Sequence, residues 1–302
     1  MRLLVTVCLF ILSASLTLAQ ETGENNELLK DTVWRFEGQS SFNFTQGFLE
    51  NWTQGGENFL SGIILNDYTL SYDKEKSSWE NNMSYKLGAT QQGEERLRKN
   101  EDLFDFSSKY GYDLSNKNIF FTNIISFKTQ MFKGFDYAND NDSIAISRFL
   151  NPGHIVIATG FEYKYKKILS AMASPLSGKV TLMTDTAHYD PVAFGIDEGE
   201  NFRAEMGAYV KIKFKKEVVK NVNLSTTLEL FNNYFSNPEN IDIDWQTTIT
   251  FNVNKYIKTT IFAHVIYDDD VPIPLTGGRT TRNFQIKETL GIGLAYSINK
   301  YK

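Results

Sequence analysis

The stretch Asp242-Ile243-Asp244-Trp245-Gln246-Thr247-Thr248-Ile249-Thr250-Phe251-Asn252-Val253 decides how this chain folds. Ile243, Trp245, Thr247, Ile249, Phe251 and Val253 share one parity, and Asp242, Asp244, Gln246, Thr248, Thr250 and Asn252 share the other. Side chains of a strand point alternately to its two faces, so this segment has one apolar face and one of carboxylates, amides and hydroxyls. The same split recurs along the chain. Trp34, Phe36, Phe42 and Phe44 oppose Arg35, Glu37, Gln39, Ser41 and Asn43, and Ala204, Met206, Ala208, Val210 and Ile212 oppose Arg203, Glu205, Lys211 and Lys213.

Working outward, twelve such segments emerge, near residues 34–44, 59–72, 79–89, 104–112, 118–129, 154–165, 168–183, 202–214, 221–230, 242–253, 257–267 and 290–298. Two read less cleanly. Segment 118–129 is apolar on both parities (Ile119, Phe120, Phe121, Ile124, Ile125), so its pattern gives no orientation; a strand facing a packed interior reads this way. Segment 168–183 is interrupted by Pro175 and Gly178, which predicts a kink or bulge.

The beginning of the chain supplies the context. Arg2, an apolar run from Leu3 to Leu12 and a small-residue stretch ending Thr17-Leu18-Ala19 have the layout of a cleavable signal peptide over residues 1–19. Residues 20–32 then read as an N-terminal periplasmic segment and residues 33–302 as a single barrel domain. Cys8, the only cysteine, lies within the leader, so neither disulfides nor cysteine-bound metals are expected in the mature protein. After the leader, no window approaches the roughly 18 uncharged apolar residues that a membrane helix requires. The net charge of −5 argues against a nucleic-acid partner.

The connections alternate in length. Residues 45–58, 91–101, 130–153, 184–201, 232–240 and 268–283 read as long loops, and those near 73–78, 113–117, 166–167, 215–220 and 254–256 as short turns. An even number of strands, short turns on one rim and longer loops on the other describe an all-β, closed antiparallel transmembrane barrel of about 12 strands, an up-and-down meander with its apolar face toward lipid. Trp34, Tyr72, Trp79, Tyr112 and Tyr165 fall at the turn ends, and Phe44, Phe104, Phe202, Trp245 and Tyr267 at the loop ends, as in the aromatic girdles of membrane barrels. A soluble lipocalin-like barrel is the alternative, but it would have to enclose too many large apolar side chains for a ligand cavity.

Three motifs carry a resemblance. Asn51-Trp52-Thr53-Gln54-Gly55-Gly56-Glu57-Asn58, Ser174-Pro175-Leu176-Ser177-Gly178-Lys179-Val180 and Ile241-Asp242-Ile243-Asp244-Trp245 resemble an uncharacterised outer-membrane β-barrel family of Bacteroidetes-type bacteria. The resemblance implies a single barrel in the outer membrane of a Gram-negative cell, and it implies no activity and no catalytic residues.

Outer-membrane lipid and the barrel-assembly machinery are the expected partners, with a small solute or ion as the expected cargo. No cofactor is expected. His154, His188 and His264 show no metal-ligand spacing, and no serine stands beside them in a pattern that nucleophilic catalysis would need, so neither a metal site nor a catalytic residue is assigned. A lipid-modifying enzyme is thereby the weakest of the functional alternatives. The candidate residues face the lumen: Glu229, Asp242 and Asp244 toward the loop end, and Lys211, Lys213 and Lys258 toward the turn end. Charge rings of this kind bias ion selectivity in a water-filled pore, whereas the same groups would seal a barrel as a ladder of salt bridges. Twelve strands lie between the filled barrels of about eight and the open ones of about sixteen, so size leaves both functions standing: a narrow channel, or a closed barrel that anchors surface loops for binding. The acidic loop residues Asp185, Asp190, Asp197, Glu198, Glu200, Asp268, Asp269 and Asp270 suggest divalent cations bridging to a charged leaflet.

Overall fold

A computed structural model describes residues 33–49, 57–115, 118–136, 144–274 and 280–301. The leader and the segment 20–32 lie outside the described residues, as does most of the motif that begins at Asn51. Twelve long strands form one closed barrel. They are β1 (Trp34–Gly47), β2 (Phe59–Lys74), β3 (Ser77–Gln92), β4 (Arg98–Asp113), β5 (Ile119–Thr129) and β6 (Gly153–Tyr165). The second half comprises β7 (Leu169–Leu182), β8 (Phe202–Val219), β9 (Val222–Asn233), β10 (Asp242–Asn252), β11 (Ile257–Tyr267) and β12 (Gln285–Tyr301). Each strand pairs antiparallel with its neighbours in sequence, and β12 closes on β1 from Arg35↔Tyr301 to Asn43↔Gly293. Among the described residues no helix is long and apolar enough to cross a membrane.

The two rims differ as the spacing predicts, with adjustments where strands run further than their apolar pattern. The expected loop 91–101 shrinks to 93–97 because polar residues on both faces of Thr90 and Arg98 still pair in register. The expected turn 215–220 tightens to 220–221, where Asn221 takes a left-handed φ of 65°, a conformation asparagine tolerates in hairpins. Two loops carry small hairpins of their own, Gly134–Asp136 with Ile144–Ser147 and Ile273–Pro274 with Thr280–Thr281. The interruption in β7 is a bulge: Ser177 pairs with Gly207 and Ser174 with Tyr209, so Pro175 and Leu176 stand opposite Ala208 alone.

Burial is inverted relative to a water-soluble protein. Ile157, Phe161, Ile286, Leu290 and Ile292 stand on the outer wall, Ile292 at 62% exposure, while Glu162 in the interior is at 1%. Lys109, Lys211, Glu205 and Glu229 are also buried, and no buried side-chain nitrogen or oxygen among the described residues lacks a hydrogen-bond partner. Soluble monomers rarely expose an apolar patch beyond a few hundred Å2, and here the apolar surface runs around the wall. The turn-side girdle is in place, with the Trp34 ring 4.9 Å from Tyr72 and 6.1 Å from Trp79 between centroids.

Inside, the barrel has two unlike halves. Along β4–β8 most inward side chains are buried, and Ile124, Ala158, Met172, Tyr209 and Phe231, the last from β9, form an apolar cluster. This orients β5: Phe120, Thr122, Ile124, Ser126 and Lys128 point inward, and Ile119, Phe121, Asn123 and Ile125 outward. Along β10, β2 and most of β1 the inward side chains stay partly accessible. Gly291 and Gly293 of β12 leave room for Asn43, since a Cβ on Gly293 would lie 2.1 Å from its Oδ1.

Candidate lumen site

Three tiers of charge cross the interior. Nearest the turns, Lys109 on β4 meets Glu162 on β6 at 2.5 Å, and Lys213 on β8 reaches across to Glu80 on β3 at 3.5 Å. Glu162 also accepts hydrogen bonds from Thr122 Oγ1 at 3.2 Å and Ser170 Oγ at 2.5 Å.

Lys128 on β5 is the hub of the middle tier. Its Nζ lies 2.8 Å from Asp244 on β10, 3.2 Å from Glu229 on β9 and 3.9 Å from Asp105 on β4. Lys211 meets Glu229 at 3.0 Å, the Tyr209 hydroxyl donates to Glu229 at 3.0 Å, and His264 Nε2 is 2.9 Å from Asp244. β5 and β10 stand on facing walls, so this ammonium spans the lumen.

At the loop rim, Lys179 on β7 binds Asp242 at 2.5 Å and Asp268 at 3.0 Å, with Glu205 at 3.8 Å. Arg203 pairs with Glu205 at 2.7 Å and with Asp270, and donates to the Gly195 carbonyl at 3.1 Å. Burial alone would raise the Asp268 carboxyl, but the Lys179 ammonium beside it holds it below the usual carboxylate range. Asp242, Asp268 and Asp269 present oxygens within 4.8 Å of one another; the Lys179 ammonium already sits on two of them, and Asn240 donates to Asp269 at 2.6 Å. In the adjoining loops, Asp185 pairs with Arg148 at 3.0 Å and with His188 at 2.8 Å.

Five of the six residues read from the sequence are thus distributed over the three tiers. Glu229, Asp244 and Lys211 come together in the middle, so carboxylates and a lysine expected at opposite mouths are in contact. Asp242 joins the loop-rim group and Lys213 the turn-side group. Lys258 stands apart, donating to Gln39 Oε1 at 2.5 Å and Ser297 Oγ at 3.4 Å. The hubs Lys128, Lys179 and Glu162 were not among the candidates. A lysine or glutamate set at interior parity in an otherwise apolar strand is the signal that marks them.

On the accessible side, a cavity of about 60 Å3 is lined by Asn43, Asp67, Lys86, Thr248, Thr260 and Phe262, among others. Lys86 lies over the Phe262 ring, 3.5 Å from its centroid, and donates to Gln246 Oε1 at 3.4 Å.

Comparison with known proteins adds a family match over part of the chain. Residues 44–135 match a family model described as "Protein of unknown function (DUF3078)". No curated protein matches the sequence. Among solved structures, the chain is similar to an outer-membrane channel from Pseudomonas putida F1 at a TM-score of 0.40 and 9% identity, covering 93% of this chain and 100% of that one. It is similar to the translocator domain of the autotransporter NalP from Neisseria meningitidis at a TM-score of 0.39 and 7% identity, covering 97% and 95%. A third, OmpT of Vibrio cholerae, gives a TM-score of 0.31 at 7% identity, covering 90% and 100%.

Proposed function

We propose that this chain is an integral barrel of the outer membrane of a Gram-negative, Bacteroidetes-type bacterium, with its turn rim toward the periplasm and its loop rim outside, and that it is a narrow conduit for water-sized solutes and ions. The membrane assignment rests on the inverted burial, since a wall carrying Ile157, Phe161, Leu290 and Ile292 outward needs hydrocarbon around it. A wide diffusion pore is disfavoured by the ammonium bridges of Lys128 to Asp244 and Lys213 to Glu80, which cross the bore. The conduit reading rests on one observation: the inward faces of β2 and β10 keep partial exposure along their whole length, whereas most inward side chains of β4–β8 are packed. Lipid and the barrel-assembly machinery are the partners this role requires.

The second reading, a sealed barrel holding loops for a binding partner, is favoured by the order of those loops. Met183, Tyr189 and Ile196 form a buried cluster above the rim, and the buried Asn151 side chain accepts from Thr184 N at 2.7 Å and its hydroxyl at 3.0 Å. Planar-bilayer recording of the purified protein decides between them. Small discrete conductance steps are the expected result. A membrane that stays silent at every voltage and protein density refutes the conduit and leaves the loop platform.

A further inference from the structure

The cavity beside Lys86 differs from the three braced tiers. Lys86 is buried at 9% exposure, yet its contacts are an aromatic face and one amide oxygen, and among the described residues no carboxylate forms an ion pair with it. Asp67, exposed to the lumen, lines the same cavity, and among the described residues it likewise has no ion pair or side-chain hydrogen bond. Glu101, also on the lining, is already neutralised by Lys287 at 2.5 Å. One positive and one negative group thus line the same cavity of about 60 Å3 without pairing, with room for a few water molecules, beside the hydroxyls of Thr248 and Thr260, the Asn43 amide and the apolar Ile63, Leu65 and Leu290. Two opposite charges left unjoined in a narrow space are satisfied by what lies between them. A molecule with a donor at one end and an acceptor at the other fits, whereas a simple ion of either sign is drawn to one wall and repelled by the other.

Resting on the conduit reading above, we propose that Lys86 and Asp67 form a charge-balanced filter that admits water and small dipolar, net-neutral solutes and discriminates little between small cations and anions. The fixed charges cancel in the wild type. Removing either one leaves a single unit charge, which at about 8 Å from a permeating ion in a water-like medium biases one sign over the other about fivefold.

Reversal potentials in a potassium chloride gradient test this on the full-length protein in planar bilayers, with heat-modifiable gel mobility as the check of folding. Wild type is expected near zero. Lys86→Gln is expected to become cation-selective and Asp67→Asn anion-selective, each about fivefold in permeability ratio, while Lys86→Arg stays near zero. Single substitutions that leave the ratio unmoved, or that shift it in the same direction, overturn the filter. If Lys86→Gln does not fold, the opposite shift in Asp67→Asn against an unshifted Lys86→Arg carries the test alone. A wild type that does not conduct refutes the conduit itself, whereas a conducting wild type with unresponsive variants refutes only the filter. Uptake of glycine, as a net-neutral dipolar probe, into proteoliposomes faster than uptake of chloride or sodium salts is the corresponding solute result, and equal or slower uptake counts against it.

Discussion

Replacing Ile249 by arginine asks which way the wall faces. Ile249 is on the outer face of β10, between Leu224 of β9 and Ile261 of β11 in the pairing register. Its neighbour Thr248 points the other way, toward Phe262 and the polar cavity that Asp67 and Glu101 also line. A guanidinium on a lipid-facing position near the bilayer midplane costs about 2–4 kcal/mol, roughly thirty-fold to nearly a thousand-fold in the folding equilibrium. Thr248→Arg adds the same charge to a polar space with carboxylates nearby and is expected to cost under about 1 kcal/mol, in the range of an ordinary polar-surface change. Urea titration in lysolipid micelles, followed by tryptophan fluorescence, measures both. With the two faces exchanged the ranking reverses, because the arginine at 249 would reach the polar interior and the one at 248 would enter hydrocarbon. An Ile249→Arg variant as stable as wild type, or more stable than Thr248→Arg, therefore refutes the assignment of faces.

Other expectations follow from the tiers and the seam. Lys128→Met leaves Glu229 and Asp244 close together without their shared cation and should cost roughly 3 kcal/mol, the low end for breaking a buried pair; adding Asp244→Asn should recover part of that in the same urea titration. Gly293→Ala places a methyl 2.1 Å from Asn43 Oδ1 and 2.3 Å from the Phe42 carbonyl oxygen and should lower stability by about 1–3 kcal/mol, whereas Gly178→Ala, whose new Cβ lies 3.8 Å from its nearest neighbour, should be nearly neutral by heat-modifiable mobility. Because the Asp268 carboxyl is depressed in the folded protein, its contact with Lys179 stabilises at neutral pH and is lost as pH falls through and below the ordinary carboxylate range. A spin label at Val271, whose amide donates to the Asp268 carbonyl, should therefore gain mobility on acidification in wild type, and in Asp268→Asn it should be more mobile already at pH 7 with a smaller acid step.

The barrel was legible because lipid forces one parity of most strands to be apolar, as in β8 and β10. Legibility failed where the interior departs from a simple polar lining. β5 could not be oriented because Ile124 packs inside on Ala158, Met172 and Tyr209 while Ile125 faces out, so both parities are apolar. With β5 unoriented, Lys128 could not be placed in the lumen, and the hub of the middle tier went unread. Lys179 was hidden in a similar way by the bulge at Pro175 and Leu176, which shifts the alternation partway along β7. Strand ends such as Arg98–Glu101 are polar on both faces because they rise beyond the apolar band, so only their backbone pairing shows that they are strand. Parity gives each candidate charge a face, and Lys211 and Glu229 meet across adjacent strands, but Asp244, Asp242 and Lys213 also find Lys128, Lys179 and Glu80 on distant strands, and spacing within one strand holds no information about a neighbour across the bore.

The seam between Arg35–Asn43 and Gly293–Tyr301 gives biogenesis an order. The first strand closes on the twelfth, so its free edge stays hungry for backbone hydrogen bonds until Gln285–Tyr301 has been synthesised. A transcript cut short upstream of Gln285 would yield an open, sticky ribbon instead of a smaller version of the same object.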